Sequence, residues 1–193
     1  LNAKRWDLGN IPNWRAMSNN SVICNNINLL PPQFWDGYLG NGEPYGLINL
    51  SLSRAIGRTG ETQYADRDVV AFNPCAEQSL ANFETCCLAE QFLPNHETYD
   101  SFLESLLLLY RICKHSLALG CHWDETQDVV HRHMRMGLSI TGVAQSSKEQ
   151  LGWLSNAYRE LRRFDKEYSK KHGWPESIKL TTVKPSGTLS LLP

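Results

Sequence analysis

With 193 residues, 41% of them apolar and 20% charged, and a net charge of −1, the chain has the makeup of a globular protein. It is long enough for one sizeable core or for part of a larger domain, and its charge balance argues against a nucleic-acid or membrane-surface partner. No apolar run reaches spanning length, and six cysteines with no signal core and no C-x-x-C read as cytosolic, mostly reduced thiols.

The first 45 residues are rich in Asn, Pro and Gly, and Trp6, Trp14, Phe34 and Trp35 are expected to anchor this irregular stretch onto a core. Residues 18–24 read as a polar turn entering a short strand. Pro31 and Pro32 open one helical turn, and residues 41–44 carry turn chemistry. Alternation of Ile48, Leu50 and Leu52 predicts a strand over 46–52, followed by a glycine-marked loop carrying Arg54 and Arg58. A further short strand is expected over 83–88. Asn95 or Thr98 caps a helix with Leu103, Leu106, Leu107, Tyr110 and Leu117 on one face, stopping at Gly120.

Asp124 with Gln127 predicts a capping box for a short helix bearing Val129 and Val130. Residues 135–142 form a glycine-bounded turn with a short strand or helix start. Ser147 with Gln150 starts the longest helix, which Gly173 ends, and 177–183 is a strand running into Lys184 and Pro185. Strands separated by helices indicate an α/β fold with parallel pairs. The chain starts without Met and stops inside an apolar element, so it is expected to be an internal segment of a longer protein.

The chemistry centres on Asn73-Pro74-Cys75-Ala76-Glu77, with Cys86 and Cys87 downstream. Proline keeps this stretch out of a helix, so it is expected to be extended, with Cys75 and Glu77 facing the same side. A carboxylate beside a thiol disfavours the thiolate, which argues against a nucleophile and for chemistry starting from a neutral thiol. No histidine lies in the stretch to activate it. The alternative is a structural cysteine beside a surface carboxylate. Cys113, Cys121, His122, His131 and His133 lack compact zinc spacing, so no metal site is expected; Cys113 reads as a packed residue, and His131 and His133 as a solvated face.

The runs 72–80 and 84–88 resemble the active-site loop of ribonucleotide reductase large subunits, and 181–189 resembles that family's substrate-phosphate loop. Arg135-Met136-Gly137-Leu138 with Thr141-Gly142 is similar to a further signature. The eleven-residue step from Cys75 to Cys86, and Pro-Ser-Gly-Thr, look most like the adenosylcobalamin-dependent (class II) enzymes, and the wording Cys-Ala-Glu-Gln-Ser-Leu and Thr-Cys-Cys-Leu-Ala-Glu resembles the monomeric ribonucleoside-triphosphate reductases in particular.

The resemblance covers essentially the whole chain. It implies that residues 1–193 are part of a single catalytic domain, a partial ten-stranded α/β barrel with the Cys75 loop at its centre. It further implies Cys75 as the thiyl radical that takes the ribose 3′ hydrogen, Glu77 as base on the 3′-OH and Asn73 as a hydrogen-bonding partner of the sugar. Cys86 is implied as half of the redox dithiol, its partner outside the chain, and Pro185, Ser186, Gly187 and Thr188 as phosphate binders. The implied cofactor is adenosylcobalamin, the implied reductant thioredoxin or a similar dithiol, and the implied setting a cytoplasmic monomer. Ala76 and Cys87 depart from the family pattern, where Gly and Asn are common. A diphosphate-level reductase with another radical source, a non-catalytic nucleotide-binding domain and a thiol–disulfide oxidoreductase are the competing readings. The joint presence of Asn73, Cys75, Glu77 and Cys86 speaks against the second, and the lack of C-x-x-C against the third.

Overall fold

Asn49, Thr98 and Ser147 each turn a side-chain oxygen onto a backbone N–H three residues on, and each thereby starts a helix. These caps punctuate the computed structural model, which describes residues 4–5, 8–57 and 65–185. The chain divides into two compact units, Leu1–Asn82 and Phe83–Pro193.

In the first unit β1 (Ser21–Ile23) pairs in parallel with β2 (Gly46–Ile48), Ser21 opposite Gly46. The short α1 (Asn13–Ala16) precedes them, and α2 (Pro32–Asn41) connects them with Pro32 in its first turn. The helix is thus longer than the one turn expected. Phe34 is buried, with its ring edge-to-face on Trp35 at 4.9 Å, whereas Trp14 is 69% exposed, its ring under the Arg15 guanidinium rather than in the core. Trp6 lies outside the described residues.

The strand expected over 46–52 ends at Ile48. The Asn49 side chain captures the Leu52 N–H at 2.9 Å and converts the rest into α3 (Leu50–Ala55), so Arg54 sits on a helix rather than in a loop. Arg58 lies outside the described residues. Two residues each of β3 (Ala71–Phe72) and β4 (Ser79–Leu80) then pair antiparallel.

The second unit is built on β5 (Leu88–Phe92) and β6 (Gly137–Thr141), parallel in register from Leu88 opposite Gly137 to Phe92 opposite Thr141. The strand expected at 83–88 therefore lies further on, because Phe83 adopts φ +60° and interrupts an extended run. The predicted strand over 177–183 appears as a bridge from Thr181 to Leu138. Extended hydrogen bonds support it, from Leu138 N–H to Leu180 O at 2.9 Å and from Thr182 N–H to Leu138 O at 3.1 Å.

Parallel neighbours need crossovers, which α4 (Tyr99–Leu117), α5 (Asp124–His133) and α6 (Lys148–His172) supply. Ser147 and Gln150 form the reciprocal capping box read from the sequence. Asp124 does not cap α5; Trp123 occupies the cap position without a side-chain bond, and Asp124 is the first helical residue. Gly142 ends β6 at φ +82°, and a Cβ there would lie 2.5 Å from the Pro94 ring, so only glycine fits without displacing Pro94.

The core between α4 and α6 holds Phe102, Leu106, Leu161 and Tyr110, whose ring meets Phe164 and Tyr168 edge-on at 5.4 and 5.8 Å. Into it is sunk a fully buried ion pair. Lys114 Nζ donates to Asp165 Oδ1 (3.1 Å), Pro175 O (2.7 Å) and Ser177 Oγ (2.9 Å), while Asp165 also accepts from the Tyr110 hydroxyl at 2.7 Å. No helix among the described residues is long and apolar enough to cross a membrane.

Candidate active site

The Asn73–Glu77 stretch is a reversal, not the extended segment expected. Antiparallel β3 and β4 must be joined, and Pro74 supplies the fixed φ that starts a tight turn. The Ala76 N–H donates to Asn73 O at 2.9 Å, the Asn73 N–H to Gln78 O at 2.9 Å, and the Gln78 N–H to Asn73 Oδ1 at 3.0 Å. The alternation argument for Cys75 and Glu77 therefore does not hold; the turn itself places both on one short segment.

Cys75 is exposed at the turn, Glu77 is half-buried and Asn73 is buried. The first unit also braces the turn from outside: Asn19 Nδ2 donates to Pro74 O at 2.7 Å, and Ser79 Oγ to buried Asp66 Oδ2 at 3.2 Å. Ala76 sits at φ +63°, a conformation glycine adopts without cost. This gives the departure from the family pattern its physical meaning. A Cβ at Gly46 would lie 2.6 Å from Ser21 Oγ and 3.2 Å from the Ala76 Cβ, so the turn packs against the start of β2.

In the second unit Cys86 is exposed and Cys87 half-buried. The Cys87 thiol hydrogen-bonds with Cys113, which holds the Cys87 pKa below its ordinary value against the opposing effect of burial; the same bond and burial push Cys113 up. This stretch is held from both ends. The Glu84 side chain is buried; it accepts from His133 Nδ1 and is ion-paired with Arg135 Nε, both at 2.9 Å, while Cys87 O accepts from the Gly137 N–H at 2.9 Å. His133 is thus a buried hydrogen-bond partner of Glu84 rather than part of a solvated face. Arg135 is 1% exposed, so the Arg-Met-Gly-Leu run acts as a clamp on Glu84 beside Cys86. Sequence reasoning missed this clamp, because Glu84 and His133 lie 49 residues apart.

Toward the carboxyl ends of β5 and β6, where α/β proteins commonly place their sites, Lys184 Nζ pairs with Glu90 Oε2 at 3.1 Å. The Lys184 N–H donates to Ser139 Oγ at 3.0 Å, and the Thr141 hydroxyl donates to Glu90. Pro185 follows, exposed; Ser186, Gly187 and Thr188 lie outside the described residues. Asn73, Cys75 and Glu77 thus share one turn of the first unit, and Cys86 and Pro185 belong to the second. None of the six cysteines is in a disulfide.

A thiol-bearing turn, a second exposed thiol beside the buried Glu84–Arg135 pair, and a strand leading to a lysine–proline corner are the features that carry the resemblance to ribonucleotide reductases. No protein-family model matches the chain. Over 182 residues it is 37% identical to a probable adenosylcobalamin-dependent ribonucleoside-triphosphate reductase of Dictyostelium discoideum, a match covering 91% of the chain and 24% of that protein. The adenosylcobalamin-dependent ribonucleoside-triphosphate reductase of Euglena gracilis is 40% identical over 158 residues, 79% of the chain and 22% of that protein. The solved structure of a B12-dependent (class II) ribonucleotide reductase superposes with a TM-score of 0.77 at 29% identity, covering 91% of the chain and 29% of that structure. The chain is homologous to these class II enzymes and has their type of α/β fold, and it spans about a quarter of the length of the curated relatives it matches.

Proposed function

We propose that the protein containing this segment reduces ribonucleoside triphosphates to 2′-deoxyribonucleoside triphosphates, with Cys75 as the thiol through which the radical reaches the sugar. The observation that carries this reading is the exposed Cys75 on a braced turn within a chain 37% identical, over most of its length, to such a reductase. When bound, adenosylcobalamin supplies the oxidising equivalent that removes the thiol hydrogen atom. An exposed thiol at the tip of a turn suits that role, and no corrin contact is assigned to this chain.

The Cys75 thiyl takes the 3′ hydrogen, Glu77 accepts the 3′-OH proton, and the 2′-OH leaves as water. Asn73, whose Oδ1 also accepts from the Gln78 N–H within the turn, hydrogen-bonds the sugar. Cys86 and a partner thiol outside the chain give up two electrons and two protons as they close to a disulfide, which thioredoxin or a similar dithiol reopens. The turn of Cys87 toward Cys113 favours Cys86 as the redox member of the adjacent pair. Pro185, Ser186, Gly187 and Thr188 bind substrate phosphate, approached along the parallel strands. The segment belongs to a single catalytic domain, a ten-stranded α/β barrel in the whole enzyme, and the enzyme is a cytoplasmic monomer.

The test is deoxyribonucleotide formation by the full-length enzyme with and without adenosylcobalamin. Formation that requires the cofactor supports the reading, and equal turnover without it overturns the class II assignment.

A further inference from the structure

Cys87 immediately precedes β5, with its carbonyl fixed by the Gly137 N–H at 2.9 Å, and Cys113 lies on the buried side of α4, 5% exposed. Strand β5 packs on α4, and the two thiols meet there in a hydrogen bond. One is half-buried and within reach of a small reagent; the other is shielded. Neither has a part in the proposed reduction, where Cys86 is the redox thiol.

We infer that Cys87 and Cys113 are a second dithiol, separate from Cys86, that closes to an intramolecular disulfide when exposed to a low-molecular-weight disulfide such as glutathione disulfide. Cys87, whose thiolate is favoured by its neighbour, attacks a glutathione sulfur; a mixed disulfide forms and one glutathione leaves as thiolate. Cys113 then loses its proton and attacks the Cys87 sulfur, releasing the second glutathione. Two protein thiols and one glutathione disulfide thus become one protein disulfide and two glutathiones. The bond ties the start of β5 to α4, one residue from Cys86. The inference rests on the contact alone and stands whether or not the reductase reading holds.

The experiment is peptide mapping of the full-length enzyme after incubation with glutathione disulfide and alkylation, in native buffer and in guanidinium chloride. Trypsin separates the two thiols, one on the peptide 68–111 and the other on 112–114. The expected result is a linked pair of these peptides in native buffer, with fragment ions placing the bond at Cys87. It should exceed any other pairing about tenfold, given the high effective concentration of hydrogen-bonded groups, and that preference should be lost in guanidinium. Cys86→Ser should keep the link and Cys87→Ser remove it. Fragment ions placing the bond at Cys86, a stable glutathione adduct on Cys87 with no link, or the same pairings in both solvents would each overturn the inference. The wild-type map settles the pairing even if a variant fails to fold.

Discussion

Replacing Lys114 with Met is the most informative perturbation of the fold. Both side chains of the Lys114–Asp165 pair are 0% exposed, so neither charge has water to fall back on. Met matches the aliphatic stem but removes a cation that donates to Asp165, Pro175 O and Ser177 Oγ. Asp165 keeps the Tyr110 hydroxyl, the Ser169 hydroxyl and the Ser177 N–H, yet loses the buried cation that Lys114 places against it.

Removing one member of such a pair costs about 3–5 kcal/mol. That is a large share of the roughly 5–15 kcal/mol holding a typical protein folded. For a chain of this length it lowers Tm by about 6–20 °C, taking roughly 2–4 °C per kcal/mol. Asp165→Asn should cost a similar amount. The double variant should cost about 1–3 kcal/mol less than the sum, because it strands neither charge. Guanidinium unfolding of the four proteins, followed by circular dichroism, measures each cost. A Lys114→Met loss below about 1 kcal/mol, or strictly additive single costs, would refute the electrostatic reasoning.

Gly142→Ala places a Cβ 2.5 Å from Pro94 at a residue with φ +82°. Strain and overpacking together should cost roughly 2–5 kcal/mol, read as a lower thermal midpoint. The His96 imidazole is held below its ordinary 6.5 by partial burial, so the unfolded chain takes a proton before the native chain does. His96 therefore contributes a loss of stability as pH falls through 6.5, absent at higher pH, and an NMR titration should give a native pKa below that value.

The helices with their own caps were legible: Thr98 and Ser147 start α4 and α6 as read, and Gly173 ends α6. Periodicity misled where a side chain overrode it. Asn49 turned an alternating pattern into α3, and the left-handed Phe83 moved the next strand to Leu88. Lys114 sits in sequence like a solvent-facing lysine, since its partner is 51 residues away. At the candidate site the residue types were legible and the backbone was not. The turn at Cys75 depends on Asn73 capping the Gln78 N–H and on pairing between β3 and β4, which alternation over five residues cannot reveal. The clamp of Glu84 by His133 and Arg135 is likewise a tertiary fact with no local signal.

The most direct test of the account is deoxyribonucleotide formation by the full-length enzyme carrying Cys75→Ser. A serine O–H is too strong a bond to relay the radical, so turnover should fall to background while triphosphate binding persists. Substantial reduction by this variant would contradict Cys75 as the radical thiol.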